Sequence, residues 1–233
     1  MSIFKFKQFE VDQSACAMKI NTDGVLLAAM VESVQPKHIL DIGTGTGVIA
    51  LMLAQRFEHG KVHAVEIDTE AAATATKNFQ LSVFKDRLTC KHIAIENFNS
   101  AEQFDLIVSN PPFFVNDLKN AEEKKGIARH ASEVFFEELM AKVNVLLTAD
   151  GLFWIILPIK QAEDLVKIAS AYGLLRAKQI NLHSDASKPT FRQIVCLSRR
   201  ASPVEIKDFY IYESEKMYTE EYKEVLKDFF LGY

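Results

Sequence analysis

The chain has 233 residues, of which 48% are hydrophobic and 25% are charged, a composition typical of a single globular domain with or without an accessory segment. No charged amino-terminal stretch precedes a long apolar run, so we expect neither a signal peptide nor a membrane span. The formal net charge of −4 at pH 7 argues against a protein that coats nucleic acid non-specifically. It does not argue against a local basic surface.

The three cysteines, Cys16, Cys90 and Cys196, are widely separated in the sequence. This spacing argues against a disulfide framework and against a cysteine-based zinc site, and we predict no metal ion. Small buried apolar residues are the simplest interpretation of all three. Isolated thiols are typical of the reducing cytoplasm, where we expect the protein to act as a monomer.

Residues 1–36 are expected to form an N-terminal lid or accessory segment, with an aromatic and basic start and a helix from about Asp23. Residues 37–233 are expected to form one domain, in which apolar runs alternate with helical patterns. The predicted strands of its first part are 38–42, 62–67, 88–93, 105–109 and 152–157. The predicted helices between and after these strands are 48–57, 69–79, 133–147 and 161–172.

The first, fourth and fifth of these strands are continuously hydrophobic, which indicates burial on both faces and therefore a parallel sheet in an α/β fold. Two further strands, 174–182 and 191–198, are expected to form a hairpin at the edge of the sheet. An extended segment at 204–212 and a helix at 219–230 follow. The polar segment 115–131 is not needed by this architecture, which predicts a mobile substrate loop or, alternatively, a solvated connector.

A glycine-rich turn follows the first strand, with Gly43, Gly45 and Gly47 at alternating positions. Glycine lets the backbone turn sharply and approach a ligand closely. A dinucleotide fingerprint would place its last glycine at position 48, which is Val48, so the turn does not fit that class of cofactor. Asp41, a carboxylate just before the glycines, would also fit poorly beside a pyrophosphate. It suits a ligand with a cationic amino group and no phosphates, such as S-adenosylmethionine.

Glu66 ends the second predicted strand, at the position where α/β sheets bind the ribose of a nucleotide-like ligand. Its two carboxylate oxygens can accept hydrogen bonds from both ribose hydroxyl groups. We therefore predict Glu66 as a ribose ligand, with the neighbouring Ile67 in the same site. Asp68 is interpreted as the N-cap of the next helix.

A second motif, Asn110-Pro111-Pro112-Phe113, follows the fourth strand. An adenine-type amine is a poor nucleophile because its lone pair is delocalised into the ring. Its two N–H groups could donate hydrogen bonds to the side-chain carbonyl of Asn110 and to the backbone carbonyl of Pro111. These hydrogen bonds would favour a pyramidal nitrogen and free the lone pair. Phe113 could stack on the base. A strand-ending proline turn would not explain Asn110 and Phe113, so we predict an enzyme that modifies a planar amine, with Asn110, Pro111 and Phe113 as catalytic residues.

On these motifs the chain resembles class I S-adenosylmethionine-dependent methyltransferases with an Asn-Pro-Pro-(Tyr/Phe) motif. The resemblance implies an α/β fold with a seven-stranded, mostly parallel Rossmann-like sheet, helices on both faces and an antiparallel C-terminal strand. Segments 6–9, 16–24 and 218–222 are further similar to bacterial tRNA adenine-N6 methyltransferases that act on the adenosine directly 3′ of the anticodon in a valine tRNA. The implied function is methyl transfer from S-adenosylmethionine to the N6 of that adenosine.

The same resemblance implies further contacts with the cofactor. Thr22 would help to hold its methionine end, with Lys19 and Asp23 nearby. The third strand of this group usually leads to a carboxylate that contacts the adenine ring, whereas this chain has Ala94 there, so we expect neighbouring backbone groups to serve instead. The implied cofactor contacts are Lys19, Thr22, Asp23, Asp41, Gly43, Gly45, Gly47, Glu66, Ile67, Ala94 and Asn110.

Basic side chains are expected to bind the phosphates of the substrate RNA around one mouth of the sheet, in a salt-sensitive manner. Any single one of them could instead be an ordinary solubilising charge. The predicted RNA contacts are Lys5, Lys7, Lys124, Lys125, Arg129, His130 and Arg192.

Several alternatives stay open at the level of the sequence. Methyltransferases that act on guanine N2 in ribosomal RNA or on a glutamine side-chain amide in a protein can use similar turns, because both acceptors are planar amines. A different class is a cofactor-binding protein that interacts with RNA without catalysis. The intact Asn110 and Phe113 count against that class.

Overall fold

The computed structural model describes residues 3–14, 19–112 and 123–232, with only the backbone described for 123–132. The strands are β1 (Ile3–Lys5), β2 (Glu10–Asp12), β3 (His38–Ile42), β4 (Lys61–Glu66), β5 (Leu88–His92), β6 (Phe104–Ser109), β7 (Leu147–Leu157), β8 (Leu175–His183), β9 (Thr190–Ser198), β10 (Glu205–Tyr210), β11 (Tyr212–Ser214) and β12 (Met217–Tyr218). The α-helices are α1 (Thr22–Met30), α2 (Val48–Arg56), α3 (Thr69–Leu81), α4 (Glu123–Leu146), α5 (Ile159–Ala171) and α6 (Glu220–Leu226).

The central sheet has the strand order β10-β8-β9-β7-β6-β3-β4-β5. Strands β5, β4, β3, β6 and β7 are parallel to one another. Strand β9 pairs antiparallel with both β7 and β8, which confirms the predicted antiparallel strand in the C-terminal part. The chain moves outward from β3 through β4 to β5, then returns to the other side of β3 through β6 and β7. The order therefore reverses between β3 and β6, where α/β sheets open a crevice for ligands.

The sheet has eight strands, so the expectation of seven is corrected by one. Strand β10 pairs in parallel with β8, from Glu205 opposite Lys178 to Tyr210 opposite His183. As a result β10, rather than the β8–β9 hairpin, forms the edge of the sheet, so the prediction that the hairpin lies at the edge is wrong. The register of this pairing depends on tertiary contacts that the sequence pattern alone does not contain.

The predicted loop 115–131 is wrong over its second half, because α4 begins at Glu123. Glutamate, lysine, alanine and arginine are strong helix formers, and here they outweigh the single unfavourable Gly126. Residues 113–122, the first part of that segment together with Phe113, lie outside the described residues.

Two hydrophobic clusters cover the two faces of the sheet. One contains buried residues of α1, α2 and α6 together with Trp154 of β7. The other contains residues of α4 and α5, among them Phe136 and Leu165, together with Phe153 of β7. Neighbouring residues of β7 thus point to opposite clusters, as the alternation of a strand requires. Both faces of the sheet are buried, in agreement with the continuous apolar runs.

The N-terminal residues pack into the first of these clusters. Phe6 and Phe9 are buried, and their rings stack at a centroid distance of 4.4 Å. The backbone N–H of Lys7 donates to the carbonyl of Phe229 at 2.8 Å, and the ring of Phe230 lies 5.6 Å from that of Phe6. The β1–β2 hairpin is therefore held by the segment that follows α6. Among the described residues, no helix has both the length and the apolar character needed to cross a membrane.

Candidate active site

A cleft of about 450 Å³ opens at the carboxyl ends of β3, β4 and β6, beside the point where the strand order reverses. Residues from the glycine turn, from the ends of all three strands and from the start of the Asn-Pro-Pro turn line it together. The predicted site residues in its lining are Gly43, Gly45, Glu66, Ile67, Ala94, Asn110 and Pro111. The two motifs that the sequence places 67 residues apart, at Gly43 and Asn110, thus share one cavity.

Glu66 is held at the end of β4 by two backbone donors. Its Oε2 accepts a hydrogen bond from Gly45 N–H at 2.8 Å, and its Oε1 accepts one from Asp68 N–H at 2.9 Å. The residue is only 8% exposed and lines the cleft. Each oxygen keeps a second lone pair, so the fixed carboxylate can accept two further hydrogen bonds from a ligand.

Asp41 lies fully buried beneath the glycine turn rather than in the lining of the cleft. Its Oδ2 accepts a hydrogen bond from the hydroxyl of Thr44 at 2.6 Å. Burial raises the pKa of Asp41 to about 7; the hydrogen bond from Thr44 acts against this shift, and the charge of Glu66 adds to it. Asp41 can therefore change its protonation near neutral pH.

Asn110 packs against the N-terminus of α1. A Cβ atom added to Gly24 would lie 3.2 Å from Asn110 Nδ2 and 3.5 Å from Asn21 Oδ1. Asn21 is the N-cap of this helix, and its Oδ1 accepts a hydrogen bond from Gly24 N–H at 2.9 Å. Ser109, just before Asn110, is buried and donates from Oγ to the carbonyl of Ile42 at 3.0 Å. The catalytic candidate is thus fixed both by β3 and by α1.

Asp23 and Arg192, predicted for the cofactor and for RNA respectively, bind each other. Arg192 Nε donates to Asp23 Oδ2 at 2.9 Å, and the two side chains are 25% and 13% exposed. This ion pair connects the first turn of α1 to β9 and orients the helix whose N-terminus touches Asn110.

The remaining predicted residues lie apart from the cleft or beyond the described side chains. A Cβ on Gly47 would lie 2.5 Å from Cε1 of Phe79, and φ there is +85°, so this glycine is required by close packing and by its backbone conformation. Lys19 and Thr22 are exposed and are not part of the cleft lining. The side chains of Lys124, Lys125, Arg129 and His130, like Phe113, lie outside the described residues.

The two lysines predicted near the N-terminus both have partners. Lys5 forms an exposed ion pair with Glu10 at 3.1 Å, and Lys7 Nζ donates to the carbonyl of Lys227 at 2.5 Å. Exposed contacts of this kind are weak. Both ammonium groups are thus able to exchange these partners for phosphates.

Sequence reasoning did not identify several residues of the cleft. Phe135 and Glu138 come from α4, and no local pattern marks them as ligand contacts. Glu96 and Asp68 also line the cleft, which with Glu66 and Glu138 gives four acidic side chains and, within the described lining, no lysine or arginine. Such a lining suits a cationic ligand and disfavours a pyrophosphate.

The solved structures similar to this fold include methyltransferases. A predicted O-methyltransferase from Agrobacterium tumefaciens matches 89% of this chain and 96% of its own, with a TM-score of 0.69 and 16% identity. A putative RNA methyltransferase from Pyrococcus horikoshii matches 76% of this chain and 82% of its own, with a TM-score of 0.54 and 19% identity. At these identities the likeness concerns the fold alone. The sheet thus has the Rossmann-like fold of these methyltransferases.

The sequence comparisons are more specific. The family model for the methyltransferase small domain matches residues 15–164, and the chain belongs to this family. A tRNA1(Val) (adenine(37)-N6)-methyltransferase from Pedobacter heparinus is 55% identical over 99% of this chain and 98% of its own. The enzyme of the same description from Flavobacterium psychrophilum is 40% identical over 98% of this chain and 99% of its own.

Proposed function

We propose that this protein transfers a methyl group from S-adenosylmethionine to the N6 atom of adenosine 37 in tRNA1(Val). The observation that carries the proposal is the shared cleft, which is lined by Glu66 and the glycine turn together with the Asn110-Pro111 turn. The near full-length similarity to relatives described as having this activity supports the choice of substrate.

The cleft fits the cofactor in charge and in hydrogen-bonding capacity. Four acidic side chains and no described basic one surround a space that would receive a sulfonium cation. Glu66 would accept the ribose hydroxyl groups through the lone pairs that Gly45 and Asp68 leave free. Ile67 and Ala94 would contact the adenine ring from the apolar part of the lining. In its ionised form, Asp41 would act from below the glycine turn by favouring a positively charged amino group.

The residues of the Asn-Pro-Pro turn would prepare the acceptor amine. The amide nitrogen of Asn110 lies against α1, which leaves its carbonyl oxygen to accept a hydrogen bond from the adenine N6–H. The carbonyl of Pro111 would accept a hydrogen bond from the second N–H. Both hydrogen bonds favour a pyramidal nitrogen, whose lone pair can attack the methyl group. When bound, the cofactor supplies a methyl group that its sulfonium charge already activates. Positioning and electrostatics would then carry most of the acceleration, without a strong general base.

The basic residues would hold the RNA around this cleft. Lys5 and Lys7 would exchange their exposed partners for phosphates, and Arg192 would contribute while it positions Asp23. Lys124, Lys125, Arg129 and His130 complete the proposed RNA surface. We further propose a monomeric enzyme in the cytoplasm, where its tRNA substrate is modified.

The function is tested with two transcripts of tRNA1(Val), one unmodified and one with guanosine in place of adenosine 37. The protein is incubated with each transcript and with methyl-labelled S-adenosylmethionine, and the digested nucleosides are separated. We expect labelled N6-methyladenosine from the first transcript and no label from the second.

Parallel reactions contain ribosomal RNA or a protein extract in place of the transcript. Label found only there, in N2-methylguanosine or in protein, would reject the substrate and favour one of the other planar amines. Binding of both cofactor and tRNA without any transfer would favour the non-catalytic class instead.

A further inference from the structure

Three potential metal ligands meet on the sheet, away from the cleft. His38 is the first residue of β3, His63 lies in β4, and Glu102 precedes β6. In the register of the sheet His63 lies opposite Leu40, two residues after His38, so both histidines project from the same face. One ligand atom from each of the three residues lies within 4.8 Å of the others.

The contact between His38 and Glu102 has the spacing of two ligands of one ion. His38 Nδ1 lies 3.1 Å from Glu102 Oε2, yet this contact lacks the alignment of a hydrogen bond. The nitrogen is buried and has no other hydrogen-bond partner among the described residues. Two ligands in a tetrahedral zinc site, each about 2.1 Å from the metal, are separated by about 3.4 Å. The two groups can therefore direct their lone pairs at a common point beside them.

His63 has a neighbour that can orient its imidazole ring. Its Nδ1 lies 3.1 Å from the hydroxyl oxygen of Thr89, and when Nδ1–H donates to Thr89 the lone pair of the ring is on Nε2. The charged or titratable groups near its ring are Glu102, His38, Lys61 and Lys91. A neutral ring with its second nitrogen fixed by a neighbour is the usual state of a metal-binding histidine.

We propose that His38, His63 and Glu102 bind a divalent zinc ion, with water in the fourth position. Two imidazoles and one carboxylate form a ligand set that zinc accepts in proteins, and it leaves one position open. The charge of Glu102 favours the ion, whereas the nearby Lys61 and Lys91 oppose it. The ion would tie the start of β3 to β4 and to the segment before β6, and so would stabilise the centre of the sheet. It is not part of the methyl-transfer site, because none of its ligands lines the cleft.

The proposal is tested with the full-length protein after treatment with a chelator. Zinc chloride is titrated by calorimetry, and the melting temperature is measured with and without zinc. We expect one ion per chain and a higher melting temperature with zinc, because a ligand that binds only the folded state stabilises it. His38→Ala, His63→Ala and Glu102→Gln should each weaken zinc affinity at least about tenfold, and Thr89→Val by about tenfold through the orientation of His63.

His59→Ala is the matched control, because His59 is exposed and lies outside the cluster. It should leave the affinity unchanged. If a histidine variant fails to fold, Glu102→Gln carries the test, since this side chain is 61% exposed. Binding that is absent, or that is equal in the wild type and in Glu102→Gln, would overturn the proposal. Replacement of zinc by Co²⁺ gives a second readout, as a tetrahedral site produces intense visible absorption that the variants should lose.

Discussion

Glu66 and Asp41 end two neighbouring strands, and the structure gives their carboxylates different surroundings. Glu66 accepts two backbone hydrogen bonds and faces the cleft, so it is fixed as an acceptor. Asp41 is fully buried with one hydrogen bond from Thr44, and its pKa is raised. Glu66 is thus suited to contact a ligand directly, whereas Asp41 is suited to influence the charge of the ligand without contact.

Removing the carboxylate of Glu66 should weaken cofactor binding. Glu66→Ala eliminates the acceptor of two proposed ribose hydrogen bonds and leaves the N–H of Gly45 without its partner. Hydrogen bonds to a charged group contribute about 1.5–3 kcal/mol each, so the loss of both should raise the Kd for S-adenosylmethionine by about 100-fold or more. Calorimetry measures this change. Glu70→Ala, a surface acid on α3, is the control, and unchanged affinity in Glu66→Ala would reject the ribose assignment.

Asn110 should matter for turnover rather than for cofactor affinity. In Asn110→Ala the acceptor amine loses one of its two proposed carbonyl partners, so kcat should fall about 10²- to 10³-fold. The Kd for S-adenosylmethionine should change by less than about threefold, since Glu66 and the glycine turn are intact. Single-turnover kinetics and calorimetry separate the two effects, with the exposed Asn99→Ala as control. Equal losses of binding and turnover would point to a structural role.

Asp41 should make folding stability depend on pH. Because its pKa is about 7 in the folded protein and 3.8 in an unperturbed chain, the folded state retains a proton that the unfolded state has released. This contribution is complete below about pH 4 and is lost as the pH rises to about 7. The free energy of unfolding of the wild type, minus that of Asp41→Asn, should therefore fall by about 2 kcal/mol between about pH 5 and pH 7.

Urea unfolding of both proteins across this pH range measures the difference. The exposed Asp86→Asn should follow the wild type at every pH. Parallel curves for the wild type and Asp41→Asn would mean that Asp41 does not titrate in this window.

At the scale of elements, helix α1 supports the candidate catalytic turn from the side. Its N-terminus carries the hydrogen-bonded cap at Asn21, the ion pair of Asp23 with Arg192, and the close approach of Gly24 to Asn110. These contacts explain why a segment outside the main α/β alternation contributes to the site. They also make α1 a positioning element for Asn110.

Gly24→Ala should separate activity from stability. Alanine is favoured over glycine within a helix by up to about 1 kcal/mol, so the melting temperature should stay the same or rise. The added methyl group would lie 3.2 Å from Asn110 Nδ2, which must move by a few tenths of an ångström. We expect kcat to fall about tenfold, because small displacements in a positioned site reduce the rate strongly. Gly232→Ala, with no neighbour within 4 Å, is the control, and an unchanged kcat in Gly24→Ala would contradict the positioning role.

The sequence predicted the elements well where one local pattern determines them. Strand β3 has the predicted bounds 38–42, because a continuous apolar run is flanked by polar and glycine residues. Strand β7 begins at Leu147, five residues before the prediction, since the residues up to Gly151 resemble a turn. A register shift between β6 and β7 accommodates them in the sheet. Local patterns contain no information about such long-range adjustments.

The same limit applies to the sites. Residues at or just after the end of a strand could be assigned to the cleft from the sequence, because parallel strands present their carboxyl ends at one edge of the sheet. Phe135 and Glu138 reach the cleft only through the packing of α4, and His38, His63 and Glu102 come from three separate segments. Neither group has a spacing that a sequence motif could reveal.

At the scale of the whole molecule, the N-terminal hairpin and the segment after α6 complete one core. Phe229→Ala should therefore destabilise the protein by about 3–5 kcal/mol, because Phe229 is only 3% exposed and belongs to the cluster that contains Phe6. Leu231→Ala is the matched control, since Leu231 is 65% exposed and should change the stability by less than about 0.5 kcal/mol. Urea unfolding measures both, and similar small effects would show that the hairpin is held without this residue.

The packing of the N-terminal hairpin on the segment after α6 also has a consequence for synthesis on the ribosome. This packing brings Lys7 into hydrogen-bond contact with Lys227, which lies 220 residues further along the chain. At translation rates of about 5–20 residues per second, the segment after α6 is synthesised roughly 10 to 40 seconds after the hairpin. During that time Phe4 and Phe6 lack the ring contacts that Phe230 provides in the folded protein, so they would be available to chaperones that shield apolar segments. This packing is therefore expected only after α6 and the segment that follows it have been synthesised.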